Sequence, residues 1–243
     1  GKVVYYNFTL VDGWTFRQVM ASLNQSANIQ HLLTHLTEKQ IAEKLNLSQQ
    51  TPEGWLFPET YRYIRGDSDL HLLKQAHALM QEKLNIAWQT RAEGLWYRQP
   101  YQALIVASMI EKESAVLSEK PLIAAVILRR LKEWIPLQID ATVIYGLGLQ
   151  YQGKLTKQDL QKKTPYNTYT KYGLPPTPIS MPGESSLQAA LQPAETRALY
   201  FVAKGDGTHL FSENLAEQDK NIDQYQLHRG KEQIKSYQRR KKA

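Results

Sequence analysis

The chain has 243 residues, 42% hydrophobic and 22% charged, with 14 Tyr and 5 Trp, a balance that supports a folded core and excludes a long disordered protein. Most of its formal charge of +7 falls between Arg229 and Ala243, so the body is nearly neutral and a basic module that binds nucleic acid is not expected. Cysteine is absent, which removes disulfides, thiolate metal sites and Cys nucleophiles.

Lys2 to Leu10 alternates loosely and is rich in Val, Tyr, Phe and Thr, the pattern of a strand. Helical spacing follows at Phe16, Val19, Met20 and Leu23, opened by Thr15 and Gln18 as a capping box. A second box, Thr37 with Gln40, opens a helix carrying Ile41 and Leu45, and Thr60 to Ile64 reads as a returning strand. The expectation is a β-α-α-β unit over residues 1–66. Before its last strand, Pro52 to Glu59 forms a Pro/Gly-bounded, aromatic-rich bend, expected to pack where this unit meets the rest.

From Ser68 to about Ala92, Leu73, Ala76, Leu79, Met80 and Leu84 mark a long amphipathic helix. Pro100 opens a helix to Ser114 that is apolar nearly all round and therefore buried, and another runs from Ser118 through Leu131. The apolar run Ala103 to Ile110 is far shorter than the roughly 20 residues of a membrane span, and no signal peptide opens the sequence, so the chain by itself is expected to be soluble. Residues 164–193 hold six of the 11 prolines and are expected to form a long ordered loop, neither helix nor central strand. A hairpin around Gly205-Asp206-Gly207 and a polar helix complete the chain. The fold class predicted is α+β: the small unit, then a larger, mainly helical domain with a β-hairpin over 67–243, ending in the basic tail.

Glu111 and Glu113 end the buried helix. At about 100° per residue they point roughly 160° apart, so they cannot converge on one glycosidic bond as a carboxylate pair. Glu111 falls among Leu104, Ala107 and Ser108, a side lined by small residues that leaves room for a substrate, whereas Glu113 falls among Val106, Met109 and Ile110. A carboxyl at the inner end of an apolar helix should be desolvated and suited to general acid work; the competing reading is an ion pair of Glu111 with Lys112, Arg129 or Arg130. His31 and His35 have i, i+4 spacing, but without a third ligand nearby an exposed helix surface is the better reading, and no metal or cofactor is expected. Neither a Gly-rich phosphate loop nor a Gly-x-Ser-x-Gly motif occurs.

Six motifs in order carry a family resemblance: Glu53-Gly-Trp-Leu-Phe-Pro-Glu-Thr-Tyr61, Ala107-Ser-Met-Ile-Glu-Lys-Glu113, Leu137-Gln-Ile-Asp-Ala-Thr-Val-Ile-Tyr-Gly146, Pro165-Tyr-Asn-Thr-Tyr169, Gly173-Leu-Pro-Pro176, and Tyr200-Phe-Val-Ala203 with His209-Leu-Phe211. Together they resemble the endolytic murein transglycosylases of the YceG-like type. The resemblance implies that Glu111 is the catalytic residue, acting as general acid and then general base on the bond between N-acetylmuramic acid and N-acetylglucosamine, with a 1,6-anhydro end as product. It implies Tyr166, Asn167, Gln138 and Asp140 as residues orienting the sugar, a LysM-like identity for the small unit, peptidoglycan glycan strands as substrate and peptidoglycan synthases as candidate partners. It also implies an N-terminal membrane anchor, for which this sequence offers no span, holding the protein at the periplasmic face of a bacterial inner membrane. Ala141, Thr177, Met181 and Gln218 depart from the family pattern, which leaves loop geometry open. Two rivals remain: a hydrolase using water in the same cleft, and a noncatalytic peptidoglycan-binding or divisome scaffold in which Glu111 is structural.

Overall fold

The structure, a computed structural model, describes residues 3–227; the basic run Arg229 to Ala243 lies outside the described residues. Strand β1 (Tyr5–Thr9) pairs antiparallel with β2 (Thr60–Ile64), Phe8 opposite Tyr61 and Tyr6 opposite Tyr63. Period-two alternation sends Tyr61 and Tyr63 inward and leaves Thr60, Arg62 and Ile64 outside. Between the strands lie α1 (Phe16–Asn24) and α2 (Glu38–Lys44), each opened by its expected capping box, Thr15 with Gln18 and Thr37 with Gln40. The β-α-α-β unit is thus present. His31 and His35 are exposed, but in an irregular turn between α1 and α2 rather than on a helix.

Helix α3 (Asp69–Gln89) is capped by Ser68, and the buried carboxylate of Asp69 accepts from the backbone N–H groups of Leu32 and Leu33 at 3.0 and 3.1 Å. Along its length α3 enters two hydrophobic clusters. Leu72, Leu73 and Ala76 join Phe8, Phe16, Leu23, Ile41 and Tyr61 in the core of the small unit. Met80 and Leu84 join the second core, built on α4 (Pro100–Glu113) and α5 (Lys120–Lys132). Every residue of α4 from Ala103 to Ile110 is buried, which is why its sequence shows no polar stripe. The bend at Pro52–Glu59 sits at the junction: Leu56 belongs to the small core and Phe57 to the large one.

After α5 come α6 (Asp140–Leu147), a 3-10 turn (Gly148–Gln150), α7 (Lys157–Gln161) and α8 (Glu184–Leu191). The last corrects the expectation of an unbroken loop over 164–193. Prolines stand at 182 and 193 but not between, so Gly183 can cap a free run of eight residues whose Leu187, Ala190 and Leu191 are buried. Strands β3 (Tyr200–Ala203) and β4 (His209–Ser212) form the hairpin, and α9 (Leu215–Ile222) follows, leading into a π turn, Asp223–Leu227. Gln218 of α9 is buried and donates to Phe201 O while accepting from Ser212 Oγ, which ties the helix to the hairpin. The architecture is α+β, with two small antiparallel sheets among the described residues and most of the core helical. No helix among them is long and apolar enough to cross a membrane.

Candidate active site

Glu111 stands in the last turn of α4, where the apolar helix reaches the surface. Its carboxylate gathers donors from two other helices. Lys120 Nζ, at the start of α5, lies 3.1 Å from Oε1 and 3.2 Å from Oε2. The N-terminus of α8 supplies the Gly183 N–H at 3.0 Å and the Ser186 hydroxyl at 2.7 Å, both to Oε2. Lys120 also donates to Ser185 Oγ at 2.9 Å. The side chains of Lys120 and Glu111 are only 5% and 9% exposed, so this ion pair is nearly dry. The apolar surroundings expected for Glu111 are therefore corrected: a wheel drawn for α4 alone cannot see what α5 and α8 bring. The ion-pair partners weighed from the sequence, Lys112, Arg129 and Arg130, are corrected likewise. Lys112 donates to Gly13 O, Arg129 pairs with Glu133, and Arg130 is turned to backbone carbonyls.

The small residues beside Glu111 have a use in the fold. Ser108 accepts from Ile179 N–H at 3.0 Å through its hydroxyl and from Ser180 Oγ at 3.0 Å through its carbonyl, which seats the Pro-rich loop on α4. From the other side, Gly13 N–H donates to Met181 O at 2.8 Å and Met181 N–H to Trp14 O at 2.7 Å. The loop is thereby stitched between the two units, and α8 begins pointing at Glu111. Next to Lys120 in sequence, the Glu119 carboxylate accepts from Ser114 Oγ at 3.1 Å and from the backbone and ring of His209, both at 2.8 Å, which ties the start of α5 to the hairpin. Burial works against that carboxylate, but the His209 and Ser114 donors outweigh it and hold its pKa below the ordinary value.

Glu113 faces elsewhere, as the wheel required. It lines a cavity of about 680 Å³ together with Glu53, Asp140, Tyr145, Arg17 and Lys112, a lining to which Glu111 does not contribute. Burial, with Asp140 adding repulsion, pushes the Glu113 pKa up to about 7. Glu53 is 2% exposed and accepts from Phe16 N–H at the first turn of α1 and from Tyr145 OH at 3.0 Å. Burial is the main cause that raises its pKa to about 8.

The sugar-orienting residues named by resemblance fall into different places. Asp140 lines the cavity and accepts from Tyr169 OH at 2.6 Å. Tyr166 packs its ring 4.8 Å from that of Tyr145, and its hydroxyl pairs with Thr177 Oγ1 at 2.9 Å. Gly146 makes this approach feasible, since a methyl there would stand 2.9 Å from Thr164 Oγ1 and 3.1 Å from Tyr166 Cβ. Asn167 is fully buried; its amide donates to the carbonyls of Leu160 and Lys162 and its oxygen accepts from Tyr169 N–H. In this arrangement Asn167 shapes the loop beneath Tyr166 rather than facing a ligand. Gln138, exposed and at φ 56°, accepts from Arg130 at 3.1 Å. Lys120, Ser186, Glu53 and Asp12, which lies over Gly183, were not indicated by local spacing; each stands on a segment other than α4.

The YceG-like family model matches residues 1–224. An endolytic murein transglycosylase of Bacillus subtilis is 33% identical over 215 residues, which cover 86% of this chain and 58% of that protein. One of Streptococcus pneumoniae is 30% identical over 176 residues, 70% of this chain and 31% of that protein. The chain thus spans about half the length, or less, of these curated relatives. The crystal structure of a YceG-like protein from Listeria monocytogenes matches with a TM-score of 0.67 at 28% identity, over 88% of this chain and 75% of the other.

Proposed function

The chain belongs to the YceG-like family, and from that membership and the surroundings of Glu111 we propose that it is an endolytic peptidoglycan lytic transglycosylase with Glu111 as acid and base. The observation that carries the reading is that Glu111 is the carboxyl on which α4, α5 and α8 converge at the edge of the core. Glu111 protonates the oxygen leaving N-acetylmuramic acid; its carboxylate, steadied by Lys120 and Ser186, then takes the proton of the 6-hydroxyl as that oxygen attacks the anomeric carbon. A 1,6-anhydro end forms and no water is consumed. Because the nucleophile belongs to the sugar, one carboxyl suffices, in keeping with Glu113 lying on another side of the helix.

Asp140, which borders the cavity beside the helix end, and Tyr166, packed against the cavity residue Tyr145, are the better sugar-orienting residues; Asn167 and Gln138 act through the loop and through Arg130. The LysM-like small unit, with the domain boundary at 66–67, contacts the strand. The substrate sets the location as extracytoplasmic, at the membrane face, with limitation of nascent strand length beside peptidoglycan synthases as its use. The ion pair and the bonds to α8 also favour a second reading, a noncatalytic peptidoglycan-binding scaffold in which Glu111 is purely structural. Mass spectrometry of muropeptides released from purified sacculi separates the two. The transglycosylase reading expects internal fragments with 1,6-anhydro ends from the parent chain and none from a folded Glu111→Gln variant. Equal release by that variant would overturn the assignment of Glu111, free reducing ends would identify a hydrolase, and no release from either would favour the scaffold.

A further inference from the structure

The cavity on the Glu113 side of α4 takes no part in the proton transfers proposed above, yet its volume of about 680 Å³ is that of a small-ligand site. Both units wall it: Arg17 and Glu38 come from the small one, Glu113, Asp140 and Tyr145 from the large one. Six charged side chains line it, and four of them are already engaged inside the protein. Glu38 accepts from Thr51 Oγ1 at 2.9 Å, Glu53 from Phe16 N–H and Tyr145 OH, and Asp140 from Tyr169 OH, while Lys112 donates to Gly13 O.

The remaining two are Glu113 and Arg17, of opposite charge. No hydrogen bond or ion pair among the described residues reaches either of them. Burial, with the charge of Asp140, raises the Glu113 pKa to about 7, so this carboxyl has lost water without gaining a donor. Native structures seldom leave such a group unanswered, and an entering ammonium would answer it. Arg17, exposed at the same cavity, presents a guanidinium fork suited to a carboxylate. Ala141, Ile144 and Ile179 add apolar wall along which methylenes can lie.

We propose that this cavity binds a free amino-acid head, an ammonium and a carboxylate on one carbon, at the tip of a peptide branch of the glycan strand, with Glu113 taking the ammonium and Arg17 the carboxylate. The inference rests on the transglycosylase reading for the strand that carries the head, though not for the cavity. Glu111 and Glu113 leave different sides of one helix turn, and a helix with its side chains is about 10–12 Å across. An extended peptide covers about 3.3–3.6 Å per residue, so a branch of three or four residues on a sugar held at Glu111 spans that distance. Asp140, at the exposed rim, is left to the sugar. Cross-linking turns the ammonium into an amide, which carries no charge for Glu113 to meet. The cavity therefore selects strands whose branches are not yet joined.

Calorimetric titration of the full chain with an N-terminally acetylated tripeptide ending in 2,6-diaminopimelate tests the site without any cleavage. Acetylation of its distal amine, Glu113→Gln and Arg17→Gln are each expected to weaken binding about tenfold. Glu38→Gln, whose partner lies within the protein, should leave the affinity within about twofold. Arg17 is exposed and Glu113 makes no bond that its amide would lose, so circular dichroism should find both variants folded. In muropeptide release the same two variants should narrow the preference for uncross-linked over cross-linked strands about tenfold. Equal affinity for the acetylated amine overturns the proposal, because no ammonium is then read. Unchanged binding by folded Glu113→Gln overturns it too, as does the absence of tripeptide binding to the parent chain, whether or not 1,6-anhydro fragments are released. Binding with the expected losses in a chain that releases no muropeptides would instead sink the transglycosylase reading and leave the amino-acid site standing.

Discussion

Lys120 and Glu111 form a nearly dry pair, so removing either partner strands a buried charge. Lys120→Met is expected to destabilise the protein by about 3 kcal/mol in urea unfolding, and adding Glu111→Gln to recover much of that loss. A second effect at this scale concerns pH. Glu53 and Glu113 have folded-state pKa values raised to about 8 and about 7, above those of the unfolded chain, so the folded state holds extra protons in between. Their contribution is fully present at acid pH and stability falls as pH rises from about 5 to 8, a slope that Glu53→Gln should flatten in thermal melts across that window. That Glu111 and Glu113 face different sides of α4 was legible from the wheel alone. The partners of Glu111 were not, since Lys120, Gly183 and Ser186 reach it only after α5 and α8 pack against α4. The placing of Asn167 was not legible for a related reason: nothing in Pro-Tyr-Asn-Thr-Tyr says which polar group turns inward to the carbonyls of Leu160 and Lys162.

Elements whose signals are local were readable. The two capping boxes, Pro100 at the head of α4 and the turn at Gly205 to Gly207 each announce a boundary in a few residues, and each stands where the sequence puts it. Helices α6, α7 and α8 were missed. They are five to eight residues long, and a helix of that length owes its stability to packing and not to its own periodicity. The bend before β2 gives a test at this scale. Gly54 has φ 80°, and a methyl there would meet Pro178 Cβ at 2.4 Å, whereas Gly66, at φ 98°, faces open space. Gly54→Ala should therefore cost about 3 kcal/mol and Gly66→Ala about 1 kcal/mol, compared by chemical denaturation. Equal losses would show that backbone conformation, and not the seat against the Pro-rich loop, is what the bend requires.

At the scale of the molecule, α3 is one rigid rod with each half in a different core. Leu73→Ala and Met80→Ala lie in different clusters, yet each is expected to lower the same single unfolding transition, by about 2–5 kcal/mol. Two separate transitions, each sensitive to one variant, would contradict this. The shared helix also bears on the history open to such a chain. Recombination exchanges modules successfully at seams that few contacts cross. A crossover near residue 66 would instead pair a foreign small unit with the Leu72, Leu73 and Ala76 face of a resident helix, and with a Met181 loop shaped for another partner. Lineages carrying this arrangement should therefore inherit both halves together and diversify by point substitution at the rim, leaving domain swapping to proteins whose parts are joined by a linker.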